Sequence, residues 1–194
     1  ALTAEPRRYG FHATLKAPFR LKEGARAEAL AEACRRFAAE HEVVRLDGLE
    51  VATLGRFLGL VAKAENAALD RLAADVVTAF DGFRAPLTEA ERAKRLKAGL
   101  SARQRAYLET YGYPHVLDEF RFHMTLTGAL DPDLVPRVRD ALAEAYLAET
   151  GDGPVEIDGI ALFRQDGPEA HFRIVESFAF PTKPGRAEAR DAAR

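Results

Sequence analysis

Residues 122–130, FHMTLTGAL, repeat the frame of residues 11–19, FHATLKAPF, and their histidines lie 111 positions apart (12 + 111 = 123). The same offset carries Val44-Arg45-Leu46-Asp47-Gly48-Leu49 onto Val155-Glu156-Ile157-Asp158-Gly159-Ile160, because 44 + 111 = 155. It also carries Phe11 onto Phe122 and Leu15 onto Leu126. Two separate blocks sharing one offset, with no net gap between them, indicate an internal duplication. A single pair of repeats is too few for a solenoid. It constrains the chain to an α+β fold, bilobal and pseudo-twofold, with one copy of the repeated unit per lobe.

The coarse elements agree with two copies. Residues 9–17 and 119–128 read as strands, with Phe11, Ala13 and Leu15 alternating with His12, Thr14 and Lys16, and Phe122, Met124 and Leu126 alternating with Arg121, His123, Thr125 and Thr127. Period-two alternation sends one set to the core and the other to the opposite face. A helix follows each strand. Residues 25–40 carry Leu30, Cys34 and Phe37 at helical spacing, and residues 132–149 open on Asp131 as N-cap with Pro132 in the first turn and stop at Gly151. Each helix leads to the V-x-[L/I]-D-G-[L/I] strand and then to a further strand, Phe57–Lys63 or His171–Phe180. The order β-α-β-β thus occurs twice, with antiparallel sheets lining a central groove. Phe57 aligns with Phe172 at 115 rather than 111 (172 − 57), so the second hairpin is longer.

Residues 65–118 have no repeat counterpart. NAALDRLAADVVTAF reads as an amphipathic helix, and two capping boxes, Thr88…Glu91 and Ser101…Gln104, open two more. The expected organisation is a single bilobal domain: lobe 1 over about 1–81, connecting helices over 82–118, lobe 2 over 119–181 and a frayed tail over 182–194.

On a strand, residues i and i+2 point the same way. His12, Thr14 and Lys16 therefore share one face, as do Arg121, His123, Thr125 and Thr127. Brought face to face across a groove, they supply two imidazoles that can donate or accept a proton near neutral pH, with hydroxyls and cations for the oxygens of a phosphoryl group. A lone strand histidine is ordinarily a surface or satisfied core residue; duplication of the motif on the polar face favours function. No metal is expected, since neither tetrapeptide contains Asp or Glu and zinc requires three or four ligands. No cofactor is expected either. His41 reads as a helix-end cap, His115 as a loop residue, His171 as an exposed strand end, and Cys34 as inert core.

Formal net charge is −2, so no global attraction to nucleic acid exists, although Arg84 to Arg105 holds seven Lys/Arg and two Glu, a local +5. That stretch reads first as a solvated helix surface. No apolar run approaches a membrane span, and one cysteine excludes an internal disulfide, so a reducing cytoplasm is the simplest compartment.

The motifs HATL and HMTL resemble the two-histidine (2H) phosphoesterase superfamily, whose signature is a pair of His-x-[Ser/Thr]-hydrophobic tetrapeptides in a duplicated, bilobal α/β fold. The strings RYGFHATLKAPFRL, YGYPHVLDEFRFHMTLTG and IALFRQDG resemble more closely a bacterial branch encoded with phosphonate-degradation genes. The resemblance implies His12 and His123 as acid/base residues and Thr14 and Thr125 as phosphate ligands. It also implies an N-terminal strand ahead of the first motif, whereas this chain begins eleven residues before His12. The expected activity is a metal-independent hydrolase: a phosphoesterase opening a cyclic phosphate or cleaving a phosphodiester of a small phosphorylated sugar or nucleotide. An RNA-end 2′,3′-cyclic phosphodiesterase or 2′,5′-RNA ligase is the alternative, weakened by the lack of aromatic residues interleaved in the basic stretch. A nucleotide- or phosphosugar-binding module without turnover is the third reading. Oligomeric state is left open.

Overall fold

The computed structural model describes residues 2–182. Helix α1 spans Ala27–Glu40, and strands β1 (Val44–Leu46), β2 (Leu49–Leu54) and β3 (Phe57–Ala62) follow it. Helices α2 (Ala67–Ala79), α3 (Glu89–Leu96) and α4 (Ala102–Tyr111) then precede the two-residue strand β4 (Met124–Thr125). Helix α5 (Val135–Thr150) leads to β5 (Val155–Ile157), β6 (Gly159–Arg164) and β7 (Arg173–Ala179). The result is α+β with antiparallel pairing throughout.

Each V-x-[L/I]-D-G-[L/I] block forms two short strands instead of one. The chain turns at Asp47-Gly48 and at Asp158, and Gly48 adopts φ +139°, a backbone state that suits a residue without Cβ. The corner lets β1 and β5 pair with each other while β2 and β6 enter separate hairpins. In the β1–β5 ladder Arg45 lies opposite Glu156, and an isolated antiparallel bridge sets Ala13 opposite Met124. Both pairs join residues 111 apart (156 − 45 and 124 − 13). Each contact therefore places a residue directly across from its own counterpart.

The long strands expected over 9–17 and 119–128 are much reduced. Around His12 only the Ala13 bridge is regular, and around His123 only β4. A 3₁₀ turn at Pro6–Arg8 and Gly10 at φ +75° deliver the first segment as a bend. The segment bends again at Leu15-Lys16 and then meets Pro18, which has no N–H to give a ladder. Phe11, expected inward, is 66% exposed as a consequence. Before β4, a 3₁₀ turn at Leu117–Glu119, with Leu117 at φ 55°, replaces the predicted strand start.

Packing crosses the boundary between the sequence halves. Strand β4 of the second half pairs with β3 of the first, and α5 packs on β2 and β3. Helix α1 of the first half packs on β6 and β7 of the second. Elements of the two sequence halves therefore pack on one another. Leu30, Cys34 and Phe37 of α1 join Leu46, Leu60, Leu72, Val76, Phe80 and Phe178 in the core, each apolar side chain contributing about 1.5–3 kcal/mol when fully buried. Burial, with the Glu176 carboxylate nearby, pushes the Cys34 thiol up to about 11, so it is held as an unreactive thiol.

Between the halves, Asn66 caps α2 by accepting from the N–H groups of Ala68 and Leu69. Thr88 and Ser101 close the capping boxes of α3 and α4 with Glu91 and Gln104. Asp131 accepts from the Asp133 N–H, capping a 3₁₀ turn at Pro132–Leu134 that leads into α5, and Gly151 ends α5 at φ 71°. Among the described residues no helix is long and apolar enough to cross a membrane. The tail expected to fray lies beyond residue 182, outside the described residues.

Candidate functional site

The Ala13–Met124 bridge fixes the site. In an antiparallel pair, the residues flanking a bridge face each other in reverse order, so His12 stands opposite Thr125 and Thr14 opposite His123. Opposite residues project from the same face, with Cβ atoms about 4.5–5.5 Å apart and diagonal neighbours about 7–8 Å apart. The two motifs thus form one four-residue patch on adjacent segments. They were expected to face each other across a groove; they stand side by side, because the bridge joins the segments edge to edge. Strand β3 flanks β4 on its other edge, with Gly59 opposite Thr125 and Leu60 opposite Met124.

Both imidazoles are held in the same manner. His12 Nδ1 lies 3.1 Å from the Gly10 carbonyl and His123 Nδ1 lies 2.9 Å from the Arg121 carbonyl. A carbonyl only accepts, so each Nδ1 carries the proton and each Nε2 presents its lone pair in the neutral ring. The carbonyl belongs in both cases to residue i−2. The Thr14 hydroxyl donates to His12 Nε2 at 3.0 Å, whereas His123 Nε2 has no hydrogen-bond partner among the described residues. Each ring also meets a phenylalanine from the other sequence half: His12 lies 5.0 Å from Phe163 of β6, and His123 lies 5.9 Å from Phe57 of β3, centroid to centroid.

The two cations expected beside the histidines have different fates. Lys16 does not reach the patch. Its ammonium donates to the Val77 carbonyl at 2.9 Å and to Asp81 at 3.1 Å, with the side chain 9% exposed. The bend at Leu15-Lys16 turns it away from the strand face and into the C-terminal end of α2, where a cation suits the helix dipole. Arg84 completes the cluster, donating to both Asp81 oxygens and to the Thr110 carbonyl. Burial pushes the Asp81 carboxyl up, but the hydrogen bonds and charges of Arg84 and Lys16 outweigh it and hold the group below its ordinary value. Burial dominates at Lys16, which answers one carboxylate and is repelled by Arg84, so its ammonium is held below the usual lysine range. Arg121, by contrast, is exposed two residues from His123, and its guanidinium makes no ion pair among the described residues.

His41 ends α1, its Nδ1–H donating to the Phe37 carbonyl (2.7 Å) and its ring stacking on the Phe37 ring, while His115 and His171 are exposed. Among the described residues no group of three or more His, Cys, Asp or Glu side chains is placed to hold a metal ion. Three cations of the basic stretch are paired with carboxylates, Arg84 with Asp81, Arg92 with Glu109 and Arg103 with Asp118, and Arg95 lies over the Tyr113 ring.

The sequence reading missed Phe57, Phe163 and the two ring-anchoring carbonyls. Phe57 and Phe163 differ by 106 (163 − 57), so a search at offset 111 passes over them. A backbone carbonyl leaves no mark in the sequence at all.

Two curated relatives match this chain in sequence. One, from Janthinobacterium sp. (strain Marseille), is 44% identical over 190 residues, covering 96% of this chain and 42% of the relative. Another, from Laribacter hongkongensis (strain HLHK9), is 35% identical over 167 residues, covering 86% of this chain and 38% of the relative. Both are named ribose 1,5-bisphosphate phosphokinase PhnN. The chain spans about two fifths of the length of these relatives. Their name corrects the expected enzyme class: a phosphokinase transfers a phosphoryl group, and a hydrolase of phosphoric esters is not what these relatives are called. The family described as "Protein of unknown function (DUF1045)" matches residues 14–173, most of the chain from Thr14 in the first motif through Arg173 at the start of β7, and the chain belongs to that family.

Proposed function

We propose that this chain is a phosphoryl-handling domain that takes a phosphorylated pentose, with the phosphoryl group seated on the patch made by His12, Thr14, His123 and Thr125. The observation that carries the reading is the matched anchoring of both rings, Nδ1 to the carbonyl of residue i−2, which leaves two Nε2 atoms for one ligand. Diagonal neighbours on one strand face are within reach of each other's long side chains, so one tetrahedral phosphate could accept from both rings at about 2.7–2.9 Å. In this reading the Nε2 atoms exchange protons with phosphoryl oxygens. Thr14 and Thr125 donate to the remaining oxygens, and Arg121 adds the charge that Lys16 cannot. The expected bilobal, pseudo-twofold fold fits the two registers centred on residues 111 apart, provided each lobe is assembled from both halves: β2, β3, β4 and α5 in one, β6, β7, the His12 segment and α1 in the other.

The sugar comes from the relatives' name, ribose 1,5-bisphosphate phosphokinase. The 194 residues contain no G-x-x-x-x-G-K-[S/T] run, so a nucleotide cradle of that form would sit in the part of the relatives that this chain does not span. The share matched here would then serve the sugar phosphate. Calorimetry with ribose 1,5-bisphosphate, ribose 5-phosphate, inorganic phosphate and ribose tests this. The phosphorylated pentoses should bind, ribose should not, and His12→Ala and His123→Ala should each abolish the heat. Equal binding of ribose and its phosphates, or none of any, would sink the reading.

A further inference from the structure

We infer that Phe163 and Phe57 are positioning residues, each clamping the imidazole that the opposite half of the sequence supplies; this rests on the phosphoryl-site reading above. The Nδ1–H to carbonyl bond is local, within two residues, and leaves the ring free to swing about its own side-chain bonds while water competes for the proton. A second, nonlocal restraint is needed to hold Nε2 on the patch. At both histidines that restraint is a phenyl ring within the 4.5–7 Å range of aromatic contact, tilted 38° at His12–Phe163 and 52° at His123–Phe57.

The origin of the two rings follows from the exchange of elements. Phe57 opens β3, which carries β4 and therefore His123. Phe163 lies in β6, opposite Ile174 of β7, in the hairpin covered by α1. Phe57 thus braces His123 from the hairpin that carries β4, and Phe163 braces His12 from the other hairpin. Neither phenylalanine carries a group for proton transfer, and both are half-buried, so their truncation leaves the core intact.

The test is nitrogen-resolved NMR of the histidine side chains, first without ligand and then through a titration with inorganic phosphate. Phe163→Ala should let His12 leave the single Nδ1–H tautomer while His123 is unchanged, and Phe57→Ala should do the converse. Either variant should weaken phosphate binding about twofold to tenfold, the loss expected when a side chain must be ordered on binding. Phe→Tyr at either place should restore both readings. Alanine variants that leave tautomers and affinity as in the wild type would overturn the assignment, as would a variant that perturbs both rings alike. A wild-type protein indifferent to phosphate would end the phosphoryl-site reading instead, and the ligand-free tautomers would still decide the role of the two phenylalanines.

Discussion

The His12 corner and the His123 corner carry one tetrapeptide frame in two different settings. Both rings donate Nδ1–H to the carbonyl of residue i−2 and both rest near a phenylalanine. Their surroundings diverge. His123 precedes a formed strand beside β3, whose Leu58 and Leu60 are fully buried; His12 precedes an isolated bridge, and Ile174 of β7, aligned with β3 in the repeat, is 57% exposed. Lys16 and Thr127 occupy the same repeat position (16 + 111 = 127) and anchor their segments by unlike means. Lys16 uses a half-buried ion cluster, whereas the Thr127 hydroxyl accepts from Leu58 N–H at 3.0 Å and donates to the Gly128 carbonyl at 2.9 Å. The two corners share the device that holds an imidazole and differ in the scaffold behind it.

The largest effect is expected at the histidines. If both corners serve one phosphoryl group, His12→Ala and His123→Ala should each abolish the calorimetric binding of ribose 5-phosphate. A large loss in one and none in the other would mean that only one copy kept the function.

The anchors rank next. Asp81→Asn leaves Lys16 and Arg84 facing each other without their carboxylate, and should cost about 3 kcal/mol of stability in urea unfolding, the low end for a broken buried pair because Asp81 is partly exposed. Thr127→Val removes the acceptor from a buried N–H and should cost about 1–3 kcal/mol. Anchors of equal cost would erase this difference between the halves.

A smaller effect separates the threonines. Thr14→Ala removes the hydroxyl now bonded to His12 Nε2, so it should free that nitrogen as well as remove a phosphate donor. Thr125→Ala removes only the donor. Each should weaken phosphate binding by about 0.5–1.5 kcal/mol, and only Thr14→Ala should move the His12 Nε2 resonance in the ligand-free protein.

The smallest effect lies far from both corners. The hydrogen bonds of Arg20, then the Thr88 N–H, hold the Glu91 carboxyl at about 2, below its ordinary 4.5. A carboxyl lowered in the folded state stabilises the fold above its unfolded pKa and loses that contribution as pH falls through the folded value. The start of α3 should therefore loosen between about pH 4.5 and 2, seen in the amide spectrum of residues 88–96, and Arg20→Ala should shift that transition upward.

Local grammar made much of this legible before any coordinates. Capping boxes at Thr88 and Ser101, the Gly151 stop and the Leu30–Cys34–Phe37 stripe rest on chemistry within one helix, and each appears where its spacing places it. The 111 offset brought His12, Thr14, His123 and Thr125 together on paper, and the bridge at Ala13 brings them together in space. Strand lengths were misread because alternation in FHATLKAPF says nothing of Gly10, the bend at Lys16 or the pull of Asp81 on its ammonium. The exchange of elements between halves was invisible for a related reason. Sequence order suggests that a helix packs on its own hairpin, while the partner that buries most apolar surface is decided only in three dimensions.

One measurement bears on the central claim more directly than any other: a crystal structure of the protein with orthovanadate. A single vanadium centre should appear, with His12 Nε2 and His123 Nε2 each within about 2.7–3.2 Å of one of its oxygens, and with Thr14 and Thr125 on the same anion. Two separate anions, or one held by a single histidine, would contradict the central claim.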